Sequence, residues 1–102
     1  MNVSPKDYTI TVVSTTGQVE TKDLPGGSVH GLLMFLGFKA PTAQAIYDVQ
    51  VYDAADYLLY AENDLVGNTS ISLEKLCNSS LRVVISGATV DGSYSLRLYT
   101  RN

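Results

Sequence analysis

The chain has 102 residues, 45% of them hydrophobic, with seven basic residues against ten acidic ones and a formal charge of −3. That length suits one domain over residues 1–102, with a core large enough to fold without disulfides or a structural metal. The longest apolar run, Leu32 to Leu36, is too short to cross a bilayer, and the acidic balance argues against capture of nucleic acid, which takes a basic face.

The start, MNVSPKDYT, carries neither the basic nor the apolar region of a secretory signal, so export by that route is not expected. Tyr8 to Ser14 alternates, with Tyr8, Ile10 and Val12 on one face and Thr9, Thr11 and Val13 on the other, and its β-branched content is that of a strand. Thr15-Thr16-Gly17 reads as a turn. Gln18 to Leu24 resumes the alternation until Pro25-Gly26-Gly27 stops it, and the two segments together read as a hairpin.

Ser28 to Phe38 is ambiguous, because Val29, Leu32, Leu33 and Leu36 fit the stripe of a helix. Gly31 and Gly37 each lower helix propensity by about 1 kcal/mol relative to alanine, so the expected element is a buried strand with apolar residues on both faces, and helix is the competing reading. From Ala43 the pattern clears: Ala45, Tyr47, Val49 and Val51 share one face, and Ile46, Asp48, Gln50 and Tyr52 the other. Asp53 to Asp56 makes a turn, and Tyr57 to Glu62 returns as the second arm of a hairpin, with Tyr57, Leu59 and Ala61 expected inward.

Ser70 to Ser72 reads as a short strand, and Leu73 to Cys77 as a single helical turn. Leu81, Val83 and Ile85 then alternate with Arg82, Val84 and Ser86, and Tyr94, Leu96 and Leu98 alternate with Ser93, Ser95, Arg97 and Tyr99. A turn at Asp91-Gly92 would join these as a third hairpin, and centring it between Thr89 and Val90 sets Val83 opposite Leu96, Ile85 opposite Tyr94 and Arg82 opposite Arg97. Like charges directly opposed destabilise a strand pair, so that register demands an acid from a third strand or from another chain. Seven to eight short strands with Gly, Pro and Asn/Asp turns predict an all-β protein, an antiparallel β-sandwich or small barrel. Its expected core is Ile10, Val12, Leu33, Val49, Val51, Leu59, Val83, Ile85, Leu96 and Leu98.

The catalytic inventory is poor. His30 is the lone histidine, inside an apolar segment with no orienting partner in view, and Cys77 is the lone cysteine, read as a buried small hydrophobe rather than a thiol paired with His30. Asp48, Asp53, Asp56, Glu62 and Asp64 offer oxygen donors for calcium, but they lack the spacing of a dedicated loop, and Asp53 and Asp56 are more simply turn formers. The glycines assemble into no phosphate-binding motif and read as turn or bulge residues. We therefore expect no enzyme activity, no catalytic residue, no metal and no cofactor.

Seven tyrosines without a tryptophan suit either strands or a sugar-binding platform. Tyr52, Tyr60 and Tyr99 fall on the faces opposite the core, and with Arg82, Arg97 and Arg101 they form the expected protein interface, an ordinary solvated sheet face being the alternative. Lysine is sparse in the strands, so little is expected to blunt their edges. The ending LRVVISGATVDGSYSLRLY (81–99), with HGLL (30–33) and YDVQVYDAADYLLYAENDLVG (47–67), resembles the small all-β virion proteins of tailed bacteriophages, the head decoration or cement proteins and their neck and tail relatives. The resemblance implies a non-enzymatic, multi-copy homo-oligomer in the virion, bound to the major capsid or other virion proteins. A neck or tail component, or a carbohydrate- or receptor-binding module, is the alternative.

Overall fold

The computed structural model describes residues 3–21, 32–76 and 80–101. Eight strands fill it: β1 (Val3–Val12), β2 (Gly17–Thr21), β3 (Leu32–Lys39), β4 (Ile46–Tyr52), β5 (Leu58–Val66), β6 (Thr69–Leu76), β7 (Leu81–Ser86) and β8 (Gly92–Arg101). They form two four-stranded antiparallel sheets, ordered β1-β8-β3-β6 and β2-β7-β4-β5. Every connection except β4 to β5 passes from one sheet to the other, which is the winding of a jelly roll.

Alternation sets the core. Ile10 and Val12 of β1, Tyr94, Leu96 and Leu98 of β8, and Leu36 and Phe38 of β3 meet Tyr47, Val49 and Val51 of β4 and Leu81, Val83 and Ile85 of β7 between the sheets. Phe38, Tyr47 and Tyr94 stack edge to face, with centroids 6.1 Å and 5.1 Å apart, and tie the two layers together. The Tyr47 hydroxyl donates to the Gly67 carbonyl at 2.7 Å, and that of Tyr94 to the Val90 carbonyl at 2.8 Å, so both phenols are buried with their polar ends satisfied. The expected core residues are all buried there except Leu59, which is partly buried and packs against it.

Two of the expected hairpins do not form. β1 and β2 lie in different sheets, joined by one bridge between Val13 and Thr16. Ser14 and Thr15 take positive φ at this corner, and the Asp91 carboxylate accepts from both their amides. Gly17 makes the crossing possible, since a Cβ there would lie 2.3 Å from the Thr11 carbonyl oxygen. β7 and β8 are likewise split between the sheets. Arg82 therefore never faces Arg97: it stands between Glu20 and Tyr52, while Arg97 stands between Asp7 and Gly37. Each arginine gains an acid from a strand distant in sequence, and the expected clash disappears. The β4-β5 hairpin does form, its turn held by Asp53 Oδ1, which accepts from the Ala55 and Tyr57 amides at 2.9 Å each.

Bulges account for the remaining differences. β3 shifts register between Leu33 and Phe35 against both neighbours, so Leu33 and Leu36 both reach the core three residues apart. This defect in a strand produces the helix-like spacing of the sequence. The strand reading holds for Leu32–Lys39, and residues 28–31, including His30, lie outside the described residues. β5 shifts twice against β4, between Tyr47 and Val49 and between Val51 and Tyr52. The second shift places Tyr60 opposite Val51, partly buried against the core, and turns Ala61 outward. Tyr57 precedes the strand and is 71% exposed. The first is held by Asp48, whose carboxylate accepts from the Asp64 amide at 2.9 Å where Asp64 has φ 59°. The β5 edge is thus blunted by bulges and by Glu62 and Asp64, contrary to the expectation of an open edge. Leu73–Leu76 continues strand β6 instead of making a helical turn, and Cys77 lies outside the described residues.

Candidate functional site

The outer faces of the two sheets carry the polar and aromatic side chains that the core does not use. The six expected interface residues do not form one surface. Tyr52 and Arg82 lie on the outer face of β2-β7-β4-β5, Tyr60 packs toward the core of that sheet, and Arg97, Tyr99 and Arg101 belong to β8 in the opposite sheet.

On the first face the register aligns Leu58, Tyr52, Arg82 and Glu20 across β5, β4, β7 and β2. The Arg82 guanidinium carbon sits 4.3 Å from the centre of the Tyr52 ring, and its Nη2 donates to Asp56 Oδ1 at 3.1 Å. Stacking and ion pair together hold a long side chain flat on the sheet. Leu58 is 55% exposed beside them, and Tyr57 projects from the same turn. Four acids of this region are engaged with protein groups: Asp48 and Asp53 cap backbone amides, Asp56 pairs with Arg82, and Glu62 accepts from the Tyr60 hydroxyl at 2.7 Å. That bond to Glu62 pushes the Tyr60 phenol above its ordinary pKa. No group of three metal-ligating side chains occurs among the described residues.

The second face, on β1-β8-β3-β6, holds an open hollow of about 740 Å³. Its central row runs Asp7, Arg97, Gly37, Ser70 across the four strands. Arg97 grips Asp7 through both oxygens, and this pairing holds the Asp7 carboxyl below its ordinary pKa and raises that of Arg97, with the neighbouring Tyr99 acting in the same direction on Arg97. To one side Tyr99 and Phe35 meet edge to face at 5.3 Å. To the other stand Thr9, Ser95 and Lys39 in one row, with Asn68 at the end of the hollow. Asn68 Oδ1 accepts from the Ala40 amide at 3.0 Å, which fixes the side-chain amide in orientation.

Sequence reasoning selected Arg97 and Tyr99 but passed over Asp7, Phe35 and Gly37. Gly37 was expected at a turn or bulge and lies inside β3. It is absent from the positive-φ positions, so the backbone does not require a glycine there. A glycine well inside an apolar run was the available signal, because such a residue weakens a strand unless something needs the space. Among the described residues no helix is long and apolar enough to cross a membrane.

No protein-family model matches the sequence, and no curated protein matches it. Among solved structures, a mitogen derived from Yersinia pseudotuberculosis superimposes with a TM-score of 0.55 at 14% identity, over 95% of this chain and 84% of that one. The Drosophila NLP core, described for pentamer formation and histone binding, gives a TM-score of 0.48 at 14% identity over 96% of both chains. The VP2 subviral particle of infectious bursal disease virus gives 0.38 at 16% identity, over 94% of this chain and 32% of that one. The likeness to the mitogen is one of fold, in keeping with the jelly-roll winding.

Proposed function

We propose that this chain is a non-enzymatic structural protein of a tailed-phage virion, a head decoration or cement protein that holds major capsid subunits and neighbouring copies of itself. The observation that carries the reading is the row Leu58, Tyr52, Arg82 beside the exposed Tyr57. Tyrosine and arginine supply most of the hot spots in protein interfaces, and here the arginine is already stacked and paired, so little side-chain entropy is lost when a partner covers it. The resemblance of segments 47–67 and 81–99 to phage virion proteins gives the setting in which such a face is covered. Rotational symmetry of a shell would bring these faces together in repeated copies.

The test is to purify the virus particles in which this protein is made, count its copies by quantitative mass spectrometry and locate it by immunogold microscopy. Many copies spread over the head are expected, and the Leu58→Glu and Tyr52→Ala variants should fold yet fail to attach. Absence from purified particles refutes the reading, and confinement to the neck or tail replaces decoration with a connector role.

A further inference from the structure

We infer that the hollow on the outer face of β1-β8-β3-β6 is a binding site for an uncharged saccharide. The inference does not rest on the virion reading, since it concerns the opposite sheet from the Leu58, Tyr52 and Arg82 row.

The first ground is Gly37. Its backbone is open to any residue, yet a Cβ there would stand 3.1 Å from the Phe35 ring and 3.9 Å from Arg97 Cβ. The Phe35 ring therefore lies against the bare backbone of Gly37, and a larger side chain there would push the ring and intrude on the floor of the hollow. The hollow is of the volume typical of small-molecule sites, about 300–1,000 Å³, and has room for an oligosaccharide of a few rings.

The second ground is the kind of side chain around it. Phe35 and Tyr99, each partly buried, form a braced aromatic pair against which the C–H face of a pyranose can pack. Beside them, Asp7 and Arg97 are locked by two hydrogen bonds of 2.6 Å and 2.8 Å, which leaves a planar carboxylate with spare lone pairs and a guanidinium with spare N–H groups. Adjacent ring hydroxyls each donate and accept, and such a fork matches them in pairs. Thr9, Ser95 and Ser70 add neutral hydroxyls, and the side-chain N–H groups of Asn68 are available because its oxygen is bound to Ala40.

The third ground is charge. Asp7 and Arg97 cancel, and only Lys39 adds a net positive charge to the lining. Nucleic acid needs far more cationic surface. An extended peptide gains its main-chain hydrogen bonds along a sheet edge, whereas this hollow opens on the face of the sheet and spans all four strands from β1 to β6. Polyhydroxylated neutral ligands remain as the class that uses aromatic faces, a neutralised ionic fork and hydroxyls together.

The intact protein, 15N-labelled, should be titrated with millimolar maltotriose, cellotriose, chitotriose, mannotriose and lactose. At least one is expected to move the amide signals of Gly37, Ser95, Arg97 and Tyr99. Gly37→Val, which fills the floor, and the milder Arg97→Gln should each weaken binding by roughly tenfold or more, with circular dichroism and self-association unchanged. Arg82→Glu, on the other sheet, should bind as well as the parent. Silence across the panel, signals that move elsewhere, or undiminished binding in folded Gly37→Val overturns the inference, and so does stronger binding of an oligonucleotide or peptide at the same amides.

Discussion

Arg97 holds Asp7 across the β1-β8 register, Nε to Oδ1 at 2.6 Å and Nη2 to Oδ2 at 2.8 Å. The two residues stand ninety positions apart in the chain. Both side chains remain open to solvent, so the pair contributes little to stability and much to the orientation of two charged groups on one face.

The pH response follows from that geometry. The hydrogen bond to Arg97 lowers the Asp7 pKa from its ordinary 3.8. A depressed carboxyl pKa contributes stability that is present above the unfolded value and is lost as pH falls through the folded one. Side-chain carboxyl NMR should find Asp7 titrating below pH 3.8, and Arg97→Gln should return it to the ordinary range.

Tyr47 gives the opposite sign. Burial pushes its phenol from 10.0 up to about 12, so the neutral form stabilises the fold fully below pH 10 and that contribution disappears as pH rises toward 12. Ultraviolet titration should show this tyrosine ionising late, together with alkaline unfolding. Tyr47→Phe, which strips the Gly67 carbonyl of its donor, should cost about 1–2 kcal/mol in urea unfolding.

Two glycines inside strands should respond differently to alanine. At Gly17 the added Cβ meets the Thr11 carbonyl oxygen and carbon at 2.3 Å and 2.8 Å, atoms of the backbone that cannot give way cheaply. Gly17→Ala is expected to lose about 2–3 kcal/mol. Gly37→Ala meets only the edge of a side-chain ring and should stay within about 1 kcal/mol of the parent. Equal melting temperatures for the two variants would contradict the steric account.

Leu36 tests the bulge in β3. It is fully buried although it sits three residues from Leu33, which is also buried. Leu36→Ala should cost about 2–5 kcal/mol, as for any buried leucine that leaves a cavity. A loss below about 0.5 kcal/mol, the scale of a surface substitution, would mean that alternation continues unbroken and that Leu36 faces solvent.

The sequence by itself determined that the chain is all-β, where most strands run, and which side points inward in the strands without bulges, because those properties follow from a period of two along a few adjacent residues. Ile10, Val12, Val49, Val51, Val83, Ile85, Leu96 and Leu98 were legible for that reason. Only the tertiary structure decided which strands pair. Neighbours in sequence were assumed to be neighbours in space, and the jelly roll sends β1 and β2, and β7 and β8, to opposite sheets. The bulges were equally hidden: one extra residue in β5 moved Tyr60 from the outer face to the core side, and one in β3 imitated a helix. The candidate site suffered most. Asp7, Gly37, Arg97 and Ser70 come from four strands scattered over the chain, and they form one row only because hydrogen-bond registers between distant segments align them. Alternation is a local property of the backbone, whereas register is settled by burying both inner faces at once, and no short stretch of sequence carries that information.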